Sequence, residues 1–187
     1  MRHGIPEDIG EYLQVDPSSK TGLRWIRTVN GRAKMGDEAG CKWKVSDRNR
    51  ENYSVRFRNI LYLNSRVIFF LNSGKDPEHL DVDHANRNST DNKAVNLRLA
   101  TVNQNQRNKK IQKNNTSGYK GVCWDKNRQK WKTHIHVDGK IINLGRFDTK
   151  EKAAIAYNEA ALKYFGEFAY LNFIPHTHSH PQEPHPS

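Results

Sequence analysis

The segment that most narrows the possible folds is residues 131–147. Trp131-Lys132-Thr133-His134-Ile135-His136-Val137 alternates with period two. Asp138-Gly139 follows, and Lys140-Ile141-Ile142-Asn143-Leu144-Gly145-Arg146-Phe147 returns. Period two is the signature of a half-buried strand, and Asp-Gly accepts the two positive φ values of a tight hairpin turn. A lone hairpin is at best marginally stable, so its apolar face needs a third strand and a covering element. Tyr119 to Trp124 offers the strand. Asp148-Thr149 then opens a helix with Glu151 in its first turn, and Ala153, Ala154, Ala156, Tyr157, Ala160, Ala161 and Tyr164 give it a small-residue face. Gly166 ends it. A three-stranded antiparallel sheet packed on one helix is therefore expected over residues 119–173.

The remainder of the 187 residues has two further textures. Residues 1–59 form a β-rich segment with short runs at Gly22–Ile26, Cys41–Val45 and Tyr53–Phe57. Residues 60–110 begin with an apolar strand entering a helix (Ile60 to Leu71), stopped by Gly74 and Pro77. They continue into a polar stretch carrying Asn86, Asn88, Asn92, Asn96, Asn103, Asn105 and Asn108, where no apolar period supports regular structure between Val82 and Leu97. Thr101-Val102-Asn103-Gln104 has the form of a capping box and predicts a helix from Thr101 to about Lys110. Residues 111–118 have linker composition. Residues 174–187, with His176, His178, His180 and His185 among prolines, read as a disordered tail; metal binding by the alternate histidines is the other reading. The fold class expected is α+β.

Charge narrows the function. The chain carries 31 Lys and Arg against 20 Asp and Glu, a net +11 with a pI near 9.7. A solvated surface accounts for this as well as a polyanionic partner does, and nucleic acid is the commonest such partner. No apolar run approaches the roughly 20 residues of a membrane span; the longest, Val67 to Leu71, has five. The N-terminus lacks the charged-then-apolar build of a signal peptide. Two cysteines are too few for a disulfide scaffold or a four-thiolate zinc site. A cytoplasmic, DNA-associated protein without a membrane or a small-molecule substrate is expected.

Within 80–110 the residue types suit phosphodiester hydrolysis. The reaction needs a base for the attacking water and a divalent cation on phosphoryl and leaving oxygens. Histidine suits the first task because its unperturbed pKa is about 6.5. Asp and Asn side chains offer the hard oxygens that Mg²⁺ prefers. If Asp83-His84 closes a strand and Asn96 begins the next, a hairpin brings them together, and Asn105 in the following helix can lie across it. On the residues alone, the favoured reading of the same side chains is a coreless loop that they hold by hydrogen bonds.

Asp83-His84, the loop with Asn92, Asn96-Leu97-Arg98 and Thr101 to Asn105 resemble the HNH endonuclease motif of phage and intron homing enzymes. The resemblance implies a ββα-metal nuclease unit, with His84 as general base and Asp83 and Asn105 as ligands of one Mg²⁺ or Mn²⁺. Asn96 would be the middle asparagine that ties the strands and orients the histidine. The third motif position holds asparagine rather than histidine, as in one subset of the family. Upstream, Ser65 stands where relatives often have histidine, and is expected to be structural.

Residues 119–147 hold seven basic and two acidic residues, whereas 148–187 hold three basic and five acidic, so the charge sits on the sheet. Trp131, Ile135 and Val137 should face the helix, leaving Lys130, Lys132, His134 and His136 open; Ile142 and Leu144 should face inward, exposing Ile141 and Asn143. A basic strand pair fits the major groove, where base edges are distinct; a merely solvated sheet face is the alternative. Ser117-Gly118-Tyr119-Lys120-Gly121-Val122, Leu144 to Thr149, Glu151 to Tyr157 and Phe168 to Phe173 resemble the APETALA2/ethylene-response-factor (AP2/ERF) DNA-binding domain. The resemblance implies DNA contacts from Lys120, Arg128, Lys130, Lys132, His136 and Asn143. Cys123 and Asn143 replace the arginine and tryptophan of plant members.

The two motifs together resemble homing endonucleases that fuse a nuclease to this reader. Arg107, Lys109, Lys110 and Lys113 would track phosphates. The expected function is endonucleolytic cleavage of double-stranded DNA. The rival is a non-catalytic, sequence-specific DNA-binding regulator with the central unit as scaffold; an RNA-binding module lacks the aromatic platform for stacked bases.

Overall fold

The computed structural model describes residues 3–29, 31, 33–45, 50–109, 111 and 114–175. Lys110, Lys113 and the histidines of the expected tail lie outside the described residues. The chain forms two compact units, residues 1–109 and 110–187. It is α+β, as its mixed periodicities predict. Among the described residues no helix is long and apolar enough to cross a membrane.

In the first unit, β1 (Leu13–Val15) pairs antiparallel with β2 (Leu23–Trp25), and β3 (Cys41–Val45), β4 (Arg50–Phe57) and β5 (Ile60–Leu63) form a three-stranded antiparallel sheet. Helix α1 (Asn64–Ser73) follows β5 directly, so the apolar run from Ile60 is indeed a strand entering a helix. Gly74 ends it with φ 67°, its N–H donating to the Phe70 carbonyl. Ile9, Leu13, Leu23, Val55, Phe57, Val67 and Ile68 are almost wholly buried in one core that joins the N-terminal strands to α1. Ser65 is buried in that helix.

The unit closes with β6 (Asp81–His84) and β7 (Leu97–Ala100), paired antiparallel with His84 opposite Leu97, and helix α2 (Val102–Arg107). Thr101 caps α2 as expected. Its hydroxyl accepts from Gln104 N–H (3.2 Å), and the Gln104 side chain accepts from Thr101 N–H (2.8 Å). The helix stops at Arg107, short of the predicted Lys110, because the Asn108 side chain is drawn onto β6.

In the second unit β8 (Val122–Asp125), β9 (Lys130–Val137) and β10 (Lys140–Phe147) form an antiparallel sheet in the order β10-β9-β8, with α3 (Lys150–Phe165) packed on it. Asp138 (φ 47°) and Gly139 (φ 79°) form the expected turn. Two details differ from expectation. β8 starts at Val122 rather than Tyr119, since Gly118 and Gly121, both at positive φ, turn the preceding chain. Phe165, not Tyr164, completes the buried face of α3, because i+4 from Ala161 falls on Phe165; Tyr164 and Ala156 lie outside that buried face.

Asn172 fastens the end of this unit. Its side chain accepts from Lys120 N–H (2.7 Å) and donates to the Lys120 carbonyl (3.1 Å), while its backbone exchanges two hydrogen bonds with the Asn158 amide on α3.

Candidate nuclease site and DNA-contact face

Alternation along β6 puts Asp81 and Asp83 on one face and His84 on the other. Helix α2 lies across the first face and presents Asn105, with Asn108 capping its C-terminal end. Asn105 Nδ2 donates to Asp81 (2.9 Å), and Asn108 Nδ2 donates to both Asp83 oxygens (3.0 and 3.3 Å) and to the His84 carbonyl (3.1 Å). Asp83, 7% exposed, also accepts from Arg98 on the facing strand through Nε (3.1 Å) and Nη2 (3.0 Å). Asp83 and Asn105, though distant in sequence, thus converge on the β6–α2 interface. Asp81, Arg98 and Asn108 supply contacts there that the sequence reading left unassigned; their spacing (i±2 on a strand, i+3 on a helix) was the available signal.

His84 points the other way, its Nε2 lying 3.0 Å from Asn92 Oδ1. Asn96, 8% exposed, ends a 3-10 turn (Ala94–Asn96) rather than opening β7 itself. It ties the loop from inside. Its Oδ1 accepts from Asn86 N–H (2.9 Å), its Nδ2 donates to the Asp91 carbonyl (2.7 Å), and its carbonyl accepts from Ala85 N–H (2.9 Å). The polar loop therefore satisfies its backbone through side-chain amides instead of a ladder.

Does this donor set suit a divalent ion? Asp83 offers a carboxylate, and Asn105, with its nitrogen turned to Asp81, keeps the oxygen end of its amide as the possible ligand. Both are hard oxygen donors of the kind that hold Mg²⁺ together with water and substrate phosphate. Among the described residues no three His, Cys, Asp or Glu side chains group to hold a metal, so an ion here would lean on amide and phosphate oxygens. In donor type the residues suit an oxygen-liganded cation, which would share the Asp83 carboxylate with Arg98 and Asn108.

In the second unit Ile135 and Thr133 are fully buried toward α3, with Trp131, Val137, Ile142 and Leu144 beside them. The open face carries Cys123, Lys130, Lys132, His134, His136, Ile141, Asn143 and Arg146, the strand alternation expected for it. Lys130 pairs with Asp148 (2.5 Å) and Arg146 with Asp125 (2.8 Å), holding both carboxyls below the usual carboxylate range. Burial, then the neighbouring His136 and Lys132, holds His134 below the ordinary imidazole value. Asn143 Oδ1 accepts from Gly145 N–H (3.2 Å) across a register shift in β10.

The other expected contacts lie elsewhere. Arg128 is exposed in the β8–β9 turn. Lys120 sits with its ammonium 5.0 Å above the Tyr170 ring. Arg107 ends α2, and Lys109, just beyond it, bonds Gln106.

Known proteins fall on the same two regions. The HNH endonuclease family model matches residues 62–107, and the AP2 domain model matches 117–167. Protein 3.8 of Escherichia phage T7 is 35% identical over 97 residues, covering 52% of this chain and 79% of that protein. An HNH endonuclease of Acanthamoeba polyphaga mimivirus is 36% identical over 101 residues, 54% of this chain and 51% of that protein. An AP2-like ethylene-responsive transcription factor of Arabidopsis thaliana is 42% identical over 59 residues, 32% of this chain and only 12% of its own length. No solved structure matches the chain. With 79% of Protein 3.8 covered at 35% identity, the chain belongs to the family of Protein 3.8, with an HNH endonuclease segment in its first unit and an AP2 domain in its second.

Proposed function

We propose that the protein is a homing-type endonuclease that hydrolyses one phosphodiester bond of duplex DNA per nuclease site, with His84 as general base. The reading is carried by the meeting of β6, which bears Asp83 and His84, with Asn105 on α2, inside the segment that matches the HNH endonuclease model, and with Asn108 just beyond it. Water attacks phosphorus, His84 takes the water proton, and the bond from phosphorus to the 3′ oxygen breaks. Asp83 and Asn105 would hold a Mg²⁺ or Mn²⁺ ion, which supplies positive charge to the scissile phosphate and the leaving oxygen. Arg98 and Asn108 keep the Asp83 carboxylate aimed, and Asn96 keeps the hairpin closed behind His84. The AP2 sheet holds duplex DNA through Lys130, Lys132, His136 and Asn143, with Lys120, Arg128, Arg107, Lys109 and Lys110 as further contacts. The viral relatives support reading the site of action as DNA in the cytoplasm of a bacterial cell or infected host.

Supercoiled plasmid incubated with the purified protein should relax to open circles with Mg²⁺ and remain supercoiled with EDTA. Sequence-specific binding without any cation-dependent cleavage would overturn the reading and leave a DNA-binding regulator. For the reader, Lys130→Ala combined with Lys132→Ala should weaken duplex binding and reduce the slope of log affinity against log salt by about two, one per lost phosphate contact. An unchanged slope would remove these lysines from the interface.

A further inference from the structure

We infer that Asn92, anchored by the N-terminal β1–β2 hairpin, is a positioning residue that fixes which ring nitrogen of His84 carries the proton. The inference rests on the reading of His84 as general base.

The argument is one of donors and acceptors. Asn92 is 6% exposed, and its Nδ2 donates to the Thr21 carbonyl (3.1 Å) across 71 positions of sequence. A carbonyl can only accept, so the amide nitrogen must lie on the Thr21 side and Oδ1 on the His84 side. Oδ1 in turn can only accept, so Nε2 of His84, 3.0 Å away, must be the protonated nitrogen. A neutral imidazole has one N–H. Nδ1 then holds the lone pair that takes a proton, and the ring cannot swap roles without breaking the bond to Asn92.

The anchor is itself built in. Thr21 is 4% exposed, and its carbonyl also accepts from Asn64 Nδ2 (3.1 Å), which donates to the Ala39 carbonyl as well (2.9 Å). Asn64 is fully buried at the first turn of α1. The next residue, Gly22, has φ +80°, and a Cβ there would come 2.7 Å from Ile68 Cδ1 and 3.1 Å from Asn92 Cβ. The hairpin thus packs closely against Ile68 and Asn92, at a positive φ that favours glycine. The N-terminal strands, which carry none of the hydrolytic motif, reach the general base through the Asn92 amide.

The test is nitrogen-15 NMR of His84 in the full-length protein, without DNA or metal and at a pH where the ring is neutral, alongside single-turnover nicking and DNA affinity. Wild type, Asn92→Leu and Asn92→Asp are compared. Wild type should show the Nε2–H tautomer. Asn92→Leu should lose that preference and nick about ten- to a hundredfold more slowly, as loss of an orienting partner usually costs, with DNA affinity unchanged. Asn92→Asp keeps an acceptor for Nε2–H, so it should retain the tautomer and a larger share of the rate. An Nδ1–H tautomer in wild type would overturn the inference, as would equal rates in Asn92→Leu and wild type. Equally slow Leu and Asp variants that both keep the wild-type tautomer would reduce Asn92 to packing. If Asn92→Leu does not fold, the wild-type tautomer alone decides. Failure of the parent reading looks different, since it would appear as undiminished nicking by a variant lacking the imidazole.

Discussion

His84→Ala should slow single-turnover nicking by about a hundred- to ten-thousandfold, the usual worth of a positioned general base, and leave duplex affinity unchanged. The substitution is a cleaner probe than one at Asp83, because the ring bonds the Asn92 side chain while the strand pairing runs through the backbone. The β6–β7 pairing uses backbone groups, and the contact from Asn108 is to the His84 carbonyl, which alanine keeps. Asp83 is a poorer probe. It is buried against Arg98, and deleting one partner of a buried pair strands the other, at a cost of about 3–5 kcal/mol. A drop in activity in an Asp83 variant would therefore mix lost chemistry with lost structure. Plasmid nicking by folded His84→Ala protein at the wild-type rate would sink the mechanism.

Gly121→Ala should unfold the AP2 unit and abolish its DNA binding. The residue sits at φ +76°, and an added Cβ would lie 2.2 and 2.4 Å from the Tyr157 ring and 2.8 Å from the His134 carbonyl. Neither neighbour can move cheaply. Tyr157 is wedged between α3 and the sheet, burial pushing its phenol up to about 12, and His134 lies in the central strand, its N–H bonded to the Gly121 carbonyl. Left-handed strain and overpacking each cost roughly 1–3 kcal/mol. A unit this small seldom holds more than about 3–5 kcal/mol of net stability, so the sum is comparable to the whole. Gly139→Ala makes the control, because φ is +79° but nothing lies within 4 Å of the added carbon. It should cost only the backbone strain and leave the unit folded. Far-ultraviolet circular dichroism during thermal unfolding, with gel-shift titrations, distinguishes the two. A Gly121→Ala protein as stable as Gly139→Ala would show that the contact is softer than its distances.

The parts of the fold that were legible in the sequence are those whose determinants are neighbours in it. Asp138-Gly139 with period-two flanks specified the β9–β10 hairpin, and Thr101 with Gln104 specified where α2 begins. The motif residues could be placed for a related reason. Fixed spacing puts Asp83 on β6, Asn96 at the end of the loop before β7 and Asn105 on α2 once a hairpin and helix form. The supporting shell was hidden because its bonds join residues far apart in sequence. Asn92 bonds a backbone carbonyl 71 residues upstream, Asn108 bonds Asp83 25 residues upstream, and no composition or period records either pairing. Asparagine also resists this kind of reading, since one residue type serves turns, strand ties and the site itself. The shift from Tyr164 to Phe165 on α3 has a simpler origin: two adjacent aromatics compete for one position, and the turn angle of the helix decides between them.

The shared core of β1, β2 and α1 bears on how such enzymes can be recombined. Helix α1, which precedes the β6–β7 hairpin, finds much of its apolar contact in residues 5–25, so a transplant beginning near residue 60 would carry it half unclothed. A chimaera spliced at residue 110, by contrast, is joined at the boundary of the two compact units, the described core of the first lying within residues 5–97. Exchange of readers should be tolerated there, and new target sites are most readily acquired by grafting at that junction rather than by rebuilding the cutter.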